Sequence, residues 1–336
     1  MAKKIFSGVQ PSGNLHLGNY LGAIKNFVEL NNDKDNKCVF CVVDLHAITV
    51  FQDPKQLKNN IHETVATFLA SGIDPKKSII FNQSQVPGHA ELAWILNCVC
   101  RVGWLNRMTQ FKEKSGKNSE NMSSGLFTYP TLMAADILLY KATHVPVGSD
   151  QKQHLELTRD IAQKFNNDYK SENFFPLPEP YIEKDISRVM SLRDGNSKMS
   201  KSDPSDYSRI NLKDDQDTIV KKIKKSKTAD TTIPISDDQI NKIPEVSNLF
   251  NIFVGVTGLT KSELLSKYAG QNFSNFKNDL ADALIEKVCP IGNEVTKLMQ
   301  DKNYLNQIMY EGAMKAREKS AIVLKDVYDI IGFVKQ

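Results

Sequence analysis

The chain has 336 residues, 40% of them hydrophobic and 24% charged, with a net charge of +4. That length suggests about two domains and a core large enough to need no disulfide or metal staple. The mild charge does not argue for nucleic-acid binding by itself, and no run of about 18 apolar residues marks a membrane span.

In chain order, the first half alternates strands and helices. Ile5–Val9 is a short β-rich run, followed by a loop with Pro11 and Gly13. Leu17, Leu21, Ile24 and Val28 then recur at helical spacing. Cys38–Val43 is a near-continuous apolar run, the pattern of a strand buried on both faces. Asp53 as N-cap, Pro54 at the first position and Gln56 closing a capping box open a helix. Its apolar face is Leu57, Ile61, Val65 and Leu69, and Gly72 marks its end. Ser78–Phe81 is the third strand, helices start near Gly88 and at Pro130, and His144–Val147 is the fourth strand. Ser187–Leu192 is expected as the last. Strand–helix alternation with short loops implies a parallel sheet covered on both faces, with ligands at the carboxyl ends of its strands.

After about Asp203 strand signals fade and lysine becomes frequent. Helical periodicity appears near Gln216–Lys225, Ser262–Tyr268, Phe276–Val288 and Asn303–Phe333. The expected architecture is therefore a Rossmann-like doubly wound parallel sheet over residues 1–202 and a smaller all-helical domain over residues 203–336, its last helix packing back on the first domain.

The five cysteines are odd in number, and Met1-Ala-Lys-Lys4 runs into a strand without a leader-like pattern, so a reducing cytoplasm is the default expectation. Cys38 and Cys41 fall three apart on a strand and face opposite sides; Cys98 and Cys100 diverge on a helix. Neither pair has metal-site geometry, and no protein metal site is expected.

Two loops carry candidate chemistry. In Ser7-Gly-Val-Gln-Pro-Ser-Gly-Asn-Leu-His-Leu-Gly-Asn-Tyr20 a strand gives way to a helix. Exposed N–H groups at such a junction favour anions, Gly18 permits close backbone approach, and His16 and Asn19 add donors. An ordinary strand–helix turn would look similar, and neither a dinucleotide fingerprint nor a Walker loop is matched. In Asp194-Gly-Asn-Ser-Lys-Met-Ser-Lys-Ser202, Lys198 and Lys201 with two serine hydroxyls form a cationic clamp suited to β- and γ-phosphate oxygens. Alone, a solvated lysine loop reads the same way.

Together the two loops resemble the class I aminoacyl-tRNA synthetases. His16-Leu-Gly-Asn19 is similar to their HIGH signature with Asn in the last place, and Lys198-Met-Ser-Lys-Ser202 matches KMSKS at every position. The resemblance narrows to the bacterial type of the tryptophan enzymes, through Phe6–Ala23, Val43–Thr49, Met108–Lys114, Thr128–Tyr140, Val145–Ile161 and Lys198–Pro204. It implies ATP contacts from Gln10, Pro11, Ser12, Gly18, Asn19, Gly148, Ser149, Asp150, Val189, Lys198, Met199, Ser200, Lys201 and Ser202. His16, Asn19, Lys198 and Lys201 would be catalytic, and Asp136, Tyr129, Met133, Gln151 and His46 would bind tryptophan. Ser149 stands where the family often has Glu, which puts a side-chain ribose contact in doubt, and Leu45 stands where Gln is common. Lys112, in a segment similar to the family's mobile loop, would reach triphosphate. The resemblance further implies Mg²⁺ carried on ATP, tRNA(Trp) as partner, a homodimer and an anticodon-reading helical half.

A physical reason stands beside the resemblance. Asp136 lies four residues after Leu132, three after Met133 and four before Tyr140, on an apolar helix face. A carboxylate there needs a partner, and an indole offers an apolar plate with a single N–H donor and no acceptor. A structural Asp bonded to nearby backbone or to an Arg is the alternative. Rival functions are a tyrosine enzyme of the same class, a catalytically silent RNA-binding paralogue, and a nucleotidyltransferase acting on a small cofactor precursor. The lysines of Lys221-Lys-Ile-Lys-Lys-Ser-Lys227 permit non-specific phosphate contact, but a solvated helix face is the commoner explanation of such a run, and tRNA binding does not rest on it.

Overall fold

The computed structural model describes residues 2–109, 122–148, 151–181 and 188–334. Five strands, β1 (Lys4–Val9), β2 (Lys37–Val42), β3 (Ile79–Asn82), β4 (His144–Pro146) and β5 (Glu179–Tyr181), form one sheet in the order β3-β2-β1-β4-β5. Every pairing is parallel. The order reverses between β1 and β4, the crevice where an open α/β sheet accepts ligands.

Period-two alternation in β2 separates the two layers. Cys38, Phe40 and Val42 join one apolar cluster with Leu17, Ile24, Phe27, Val65 and Phe68 from the helices that link β1 to β2 and β2 to β3. Val39 and Cys41 join the opposite cluster with Leu92, Leu96, Ala134, Leu138 and Ile161. The two cysteines of β2 therefore lie on opposite faces, and burial raises both thiols, Cys38 to about 11. The Pro54–Ala70 helix is capped by Asp53, whose carboxylate accepts the Gln56 N–H at 2.8 Å; the reciprocal Gln56 side-chain bond of a full capping box is not formed.

Three expectations are corrected. The last strand is Glu179–Tyr181, not Ser187–Leu192. Ser187 lies outside the described residues, and Met190 makes only a single antiparallel bridge, to Lys198, so this segment folds back on its own lysine loop. A three-residue edge strand with Pro180 at its centre carries little strand signal, because proline is tolerated only at an edge. Pro130 does not open a helix: the helix runs Ser124–Leu138, begun by Ser123 whose Oγ accepts the Leu126 N–H, and Pro130 lies inside it. Cys100 falls just past the end of the Gly88–Val99 helix rather than on it.

In the second half the helices Gln216–Lys224, Lys261–Tyr268, Phe273–Leu298 and Lys302–Ile331 are joined by Asp237–Asn241 and Pro244–Thr257, which the periodicity did not reveal. The apolar cluster of one sheet face continues without a break into Ile219, Phe250, Phe276 and Leu284. The terminal helix lies along the β3 edge: a Cβ on Gly312 would sit 1.8 Å from the Ile80 carbonyl oxygen. Gly312→Ala should therefore lower the chemical-unfolding midpoint and cost about 1–3 kcal/mol by overpacking. An unchanged midpoint would mean that helix and strand do not touch in solution.

Candidate active site

The loop after β1 is shaped by backbone. Gly13 has φ +61°, and a Cβ there would lie 2.4 Å from Asn60 Oδ1, so glycine is required twice over. His16 is extended and acts as N-cap of a helical run that starts at Leu17. The Asn19 side-chain oxygen accepts the His16 N–H at 3.1 Å, which leaves its amide NH₂ as the available donor. Residues 210–212 brace the loop: Leu17 N–H donates to the Ile210 oxygen at 2.8 Å and Leu212 N–H to the Leu15 oxygen at 2.9 Å. His16 is 5% exposed, and its Nδ1 has no hydrogen-bond partner. Burial, then the charges of Lys201, Arg209 and Lys198, push this imidazole down to about 4. It is neutral at pH 7 and can donate through only one nitrogen.

The lysine loop is anchored from the helical half. Asn248 accepts the Met190 N–H at 2.8 Å and donates to its carbonyl at 2.9 Å. Gly195 packs so closely on Pro244 that a Cβ would lie 2.3 Å from its backbone. Met199 is buried, and its N–H donates to the Val189 oxygen at 3.1 Å. Val189 is buried in the core cluster beside the loop. Lys198 is exposed. Lys201 reaches across to the first loop and donates to Ser12 Oγ and the Gly13 carbonyl. Burial pushes Lys201 down to about 8, against the nearby Glu63 carboxylate and with help from Arg209. The two loops thus touch, and their contact is a cation held by neutral oxygens.

Beside them, at the β1–β4 switch point, lies a cavity of about 380 Å³. Its walls include Phe6 and Gly8 of β1, Val145 of β4, and Gln10 of the first loop. All five side chains expected around tryptophan, His46, Tyr129, Met133, Asp136 and Gln151, line this one cavity. Tyr129 hydrogen-bonds His154 at 2.8 Å, and its ring meets that of His46 edge-on. Gly148 ends the described segment after β4, and Lys112, Ser149 and Asp150 lie outside the described residues.

Asp136 is 2% exposed and already has protein partners. Its Oδ1 accepts from Gln83 Nε2 at 2.7 Å and from His89 Nδ1 at 2.6 Å, and its Oδ2 from His46 Nε2 at 2.8 Å. Gln83 in turn accepts the Leu45 N–H at 3.1 Å, and Tyr140 sits on His89 Nε2 at 2.8 Å. Burial works to raise the Asp136 carboxyl, but the hydrogen bonds from His46 and His89 outweigh it and hold it below the usual carboxylate range. Asp136 is thus bonded within the protein, to two histidines and a glutamine rather than to backbone or an Arg, and it faces a cavity with acceptor capacity to spare. Gln83 and His89 escaped sequence reasoning. The one available signal was a histidine in the first turn of a largely apolar helix.

Residues 2–288 match the family described as tRNA synthetases class I (W and Y). The tryptophan–tRNA ligase of Caulobacter vibrioides is 55% identical over 330 residues, covering 98% of this chain and 95% of that protein. The crystal structure of tryptophanyl-tRNA synthetase from Mycoplasma pneumoniae superposes with a TM-score of 0.83 at 34% identity, covering 99% of each chain. That from Campylobacter jejuni, complexed with ADP and tryptophan, gives 0.80 at 34%, covering 98% of this chain and all of the other (100%). The chain belongs to the class I aminoacyl-tRNA synthetases, in the bacterial tryptophan–tRNA ligase family.

Proposed function

We propose that this chain is a tryptophan–tRNA ligase that works in two steps. The tryptophan carboxylate attacks the α-phosphorus of ATP, forming tryptophanyl-adenylate and expelling pyrophosphate. A ribose hydroxyl at the tRNA terminus then attacks the acyl carbon, and AMP leaves. The observation that carries this reading is the continuity of the site: one cavity is lined both by Asp136 and by Gln10, which lies on the loop that Lys201 clasps.

No side chain need serve as covalent nucleophile; positioning and charge do the work. Asp136 takes the indole N–H, with Tyr129, Met133, His46 and Gln151 around the ring. A phenylalanine side chain would leave the carboxylate short of a donor in a dry pocket, the kind of loss that gives strong rejection without editing. Neutral His16 and the Asn19 amide donate to the triphosphate. Lys198 and Lys201 follow charge onto pyrophosphate, and the remaining loop residues, with Gly148 and the unplaced Ser149 and Asp150, hold ATP. Mg²⁺ enters with the nucleotide, supplying charge neutralisation on its phosphates. The donors at the loops suit phosphate oxygens rather than a bare cation, and among the described residues no cluster of three His, Cys, Asp or Glu could hold one.

Residues 203–336 would read the anticodon, and the cytoplasm is where charged tRNA is used. Exposed Ile48 and Trp94 share a groove next to the cavity, with Tyr129 and Thr49 lining both. Phe51, 91% exposed, follows close in sequence. This apolar face suits a second copy of the chain. Trp94→Asp should shift the sedimentation coefficient from dimer to monomer; a wild-type monomer would remove the homodimer.

ATP–pyrophosphate exchange with each amino acid offered separately tests the main reading. Exchange driven by tryptophan supports it; exchange driven by tyrosine alone, or tRNA binding without exchange, would sink it. Asp136→Ala should lose tryptophan affinity and much of the discrimination against phenylalanine. Unchanged discrimination would take Asp136 out of the recognition step.

Lys201→Ala should slow adenylate formation while leaving tryptophan affinity near wild type. With its ammonium pushed down to about 8 in the free enzyme, kcat/KM for ATP should fall as pH rises through that value. Lys201→Arg, charged throughout, should flatten that alkaline limb; a limb that survives belongs to another group.

A further inference from the structure

Behind the cavity wall, a chain of buried polar groups has no role in the reaction as described. His89 is fully buried at 0% exposure and does not line the cavity. Both ring nitrogens are committed, Nδ1 to Asp136 Oδ1 and Nε2 to the Tyr140 hydroxyl. A carboxylate only accepts, so Nδ1 carries a proton. Phe81 and Tyr140 pack on the ring with centroids 5.6 and 5.5 Å away, so it has little freedom to turn.

The division of donors between the two carboxylate oxygens matters. An ionised carboxyl has about four lone-pair sites. Oδ1 holds two donors, Gln83 and His89, and is full. Oδ2 holds only His46, so the one acceptor site left lies on Oδ2. We propose that His89, steadied by Tyr140, is a positioning residue for amino-acid specificity: it saturates Oδ1 so that Asp136 presents a single acceptor site to the substrate. This rests on the reading that Asp136 takes the indole N–H.

Without His89, Oδ1 regains a lone pair, and only Gln83 on Oδ1 and His46 on Oδ2 still fix the orientation of the carboxylate. A substrate N–H is then bound less firmly, and a side chain lacking one is penalised less. The consequence falls on discrimination at the indole nitrogen. A merely structural role for His89 would lower stability and leave that discrimination alone.

The test compares tryptophan with 3-(3-benzothienyl)alanine, in which sulfur replaces the ring N–H at similar shape. The ratio of kcat/KM for the two is measured by pyrophosphate exchange, with thermal unfolding in parallel. His89→Leu should lower the ratio about tenfold or more, the worth of a hydrogen bond to a charged group. The effect should appear as a raised KM for tryptophan more than as a lowered kcat. His89→Asn, which keeps a donor near the Nδ1 position, should restore most of the ratio. Tyr140→Phe removes one hydroxyl and no carbon, and should lower the ratio in the same direction to a smaller extent. If His89→Leu does not fold, Tyr140→Phe decides. A wild-type ratio in the folded variants overturns the inference. Absence of tryptophan-dependent exchange in the wild-type protein would instead remove the reading beneath it.

Discussion

A carboxylate buried in an apolar wall is tolerable only when donors replace the water it has lost. Asp136 meets that condition from three separate places in the chain. His46 comes from the turn after β2, Gln83 from the turn after β3, and His89 from the helix that begins at Gly88. The parallel order β3-β2-β1-β4-β5 places the carboxyl ends of β2 and β3 side by side. Helix Ser124–Leu138, which carries Asp136, packs directly on the Gly88 helix. The fold therefore gathers the donors, and the donors let a carboxylate stay charged while buried; on the proposed function it is this group that meets the substrate. The same low dielectric that makes an unpaired carboxylate costly makes a correct substrate donor valuable.

The other end of the site runs on the opposite principle. His16, Lys198, Lys201 and Arg209 crowd together, and burial and mutual repulsion hold His16 and Lys201 below their ordinary ranges. Such an arrangement is less stable than a neutral one and is ready for an anion. On the proposed function a triphosphate would supply the missing negative charge, and preorganised donors would need no rearrangement at the moment charge moves onto pyrophosphate. The carboxylate in the cavity wall is thus satisfied apart from one acceptor site, and the loops beside the cavity are left short of negative charge.

What the sequence made legible followed short-range rules. Asp53-Pro54 set the start of a helix, the apolar run after Lys37 set a strand, and period two placed Cys38 and Cys41 on opposite faces. The two signature loops were readable because each is contiguous, although neither was decisive alone. The misses share a cause. Glu179–Tyr181 is too short and too proline-marked to look like a strand, and it is held by its register with β4. Pro130 sits inside a helix because apolar packing on both sides outweighs the backbone hydrogen bond it removes. Gln83 and His89 precede Asp136 by 53 and 47 positions, and only the sheet brings them to it.

The boundary near residue 203 is clear in sequence texture and weak in packing. One apolar cluster joins Phe40 of the sheet to Phe250 and Phe276 of the helical half. The lysine loop is fastened to that half twice, through Asn248 on the Met190 backbone and through the contact of Gly195 with Pro244. The first loop follows β1 but is also tied to residues after 203, through the backbone bonds of Leu17 with Ile210 and of Leu212 with Leu15. The Pro244–Thr257 helix touches the segment after that loop too, where Lys25 Nζ donates to the Gly255 carbonyl at 3.0 Å. The clasp of Lys201 on Ser12 and Gly13 is the side-chain link between the two loops themselves, and phosphate oxygens are the groups best suited to replace it, because they offer the same acceptors with charge added.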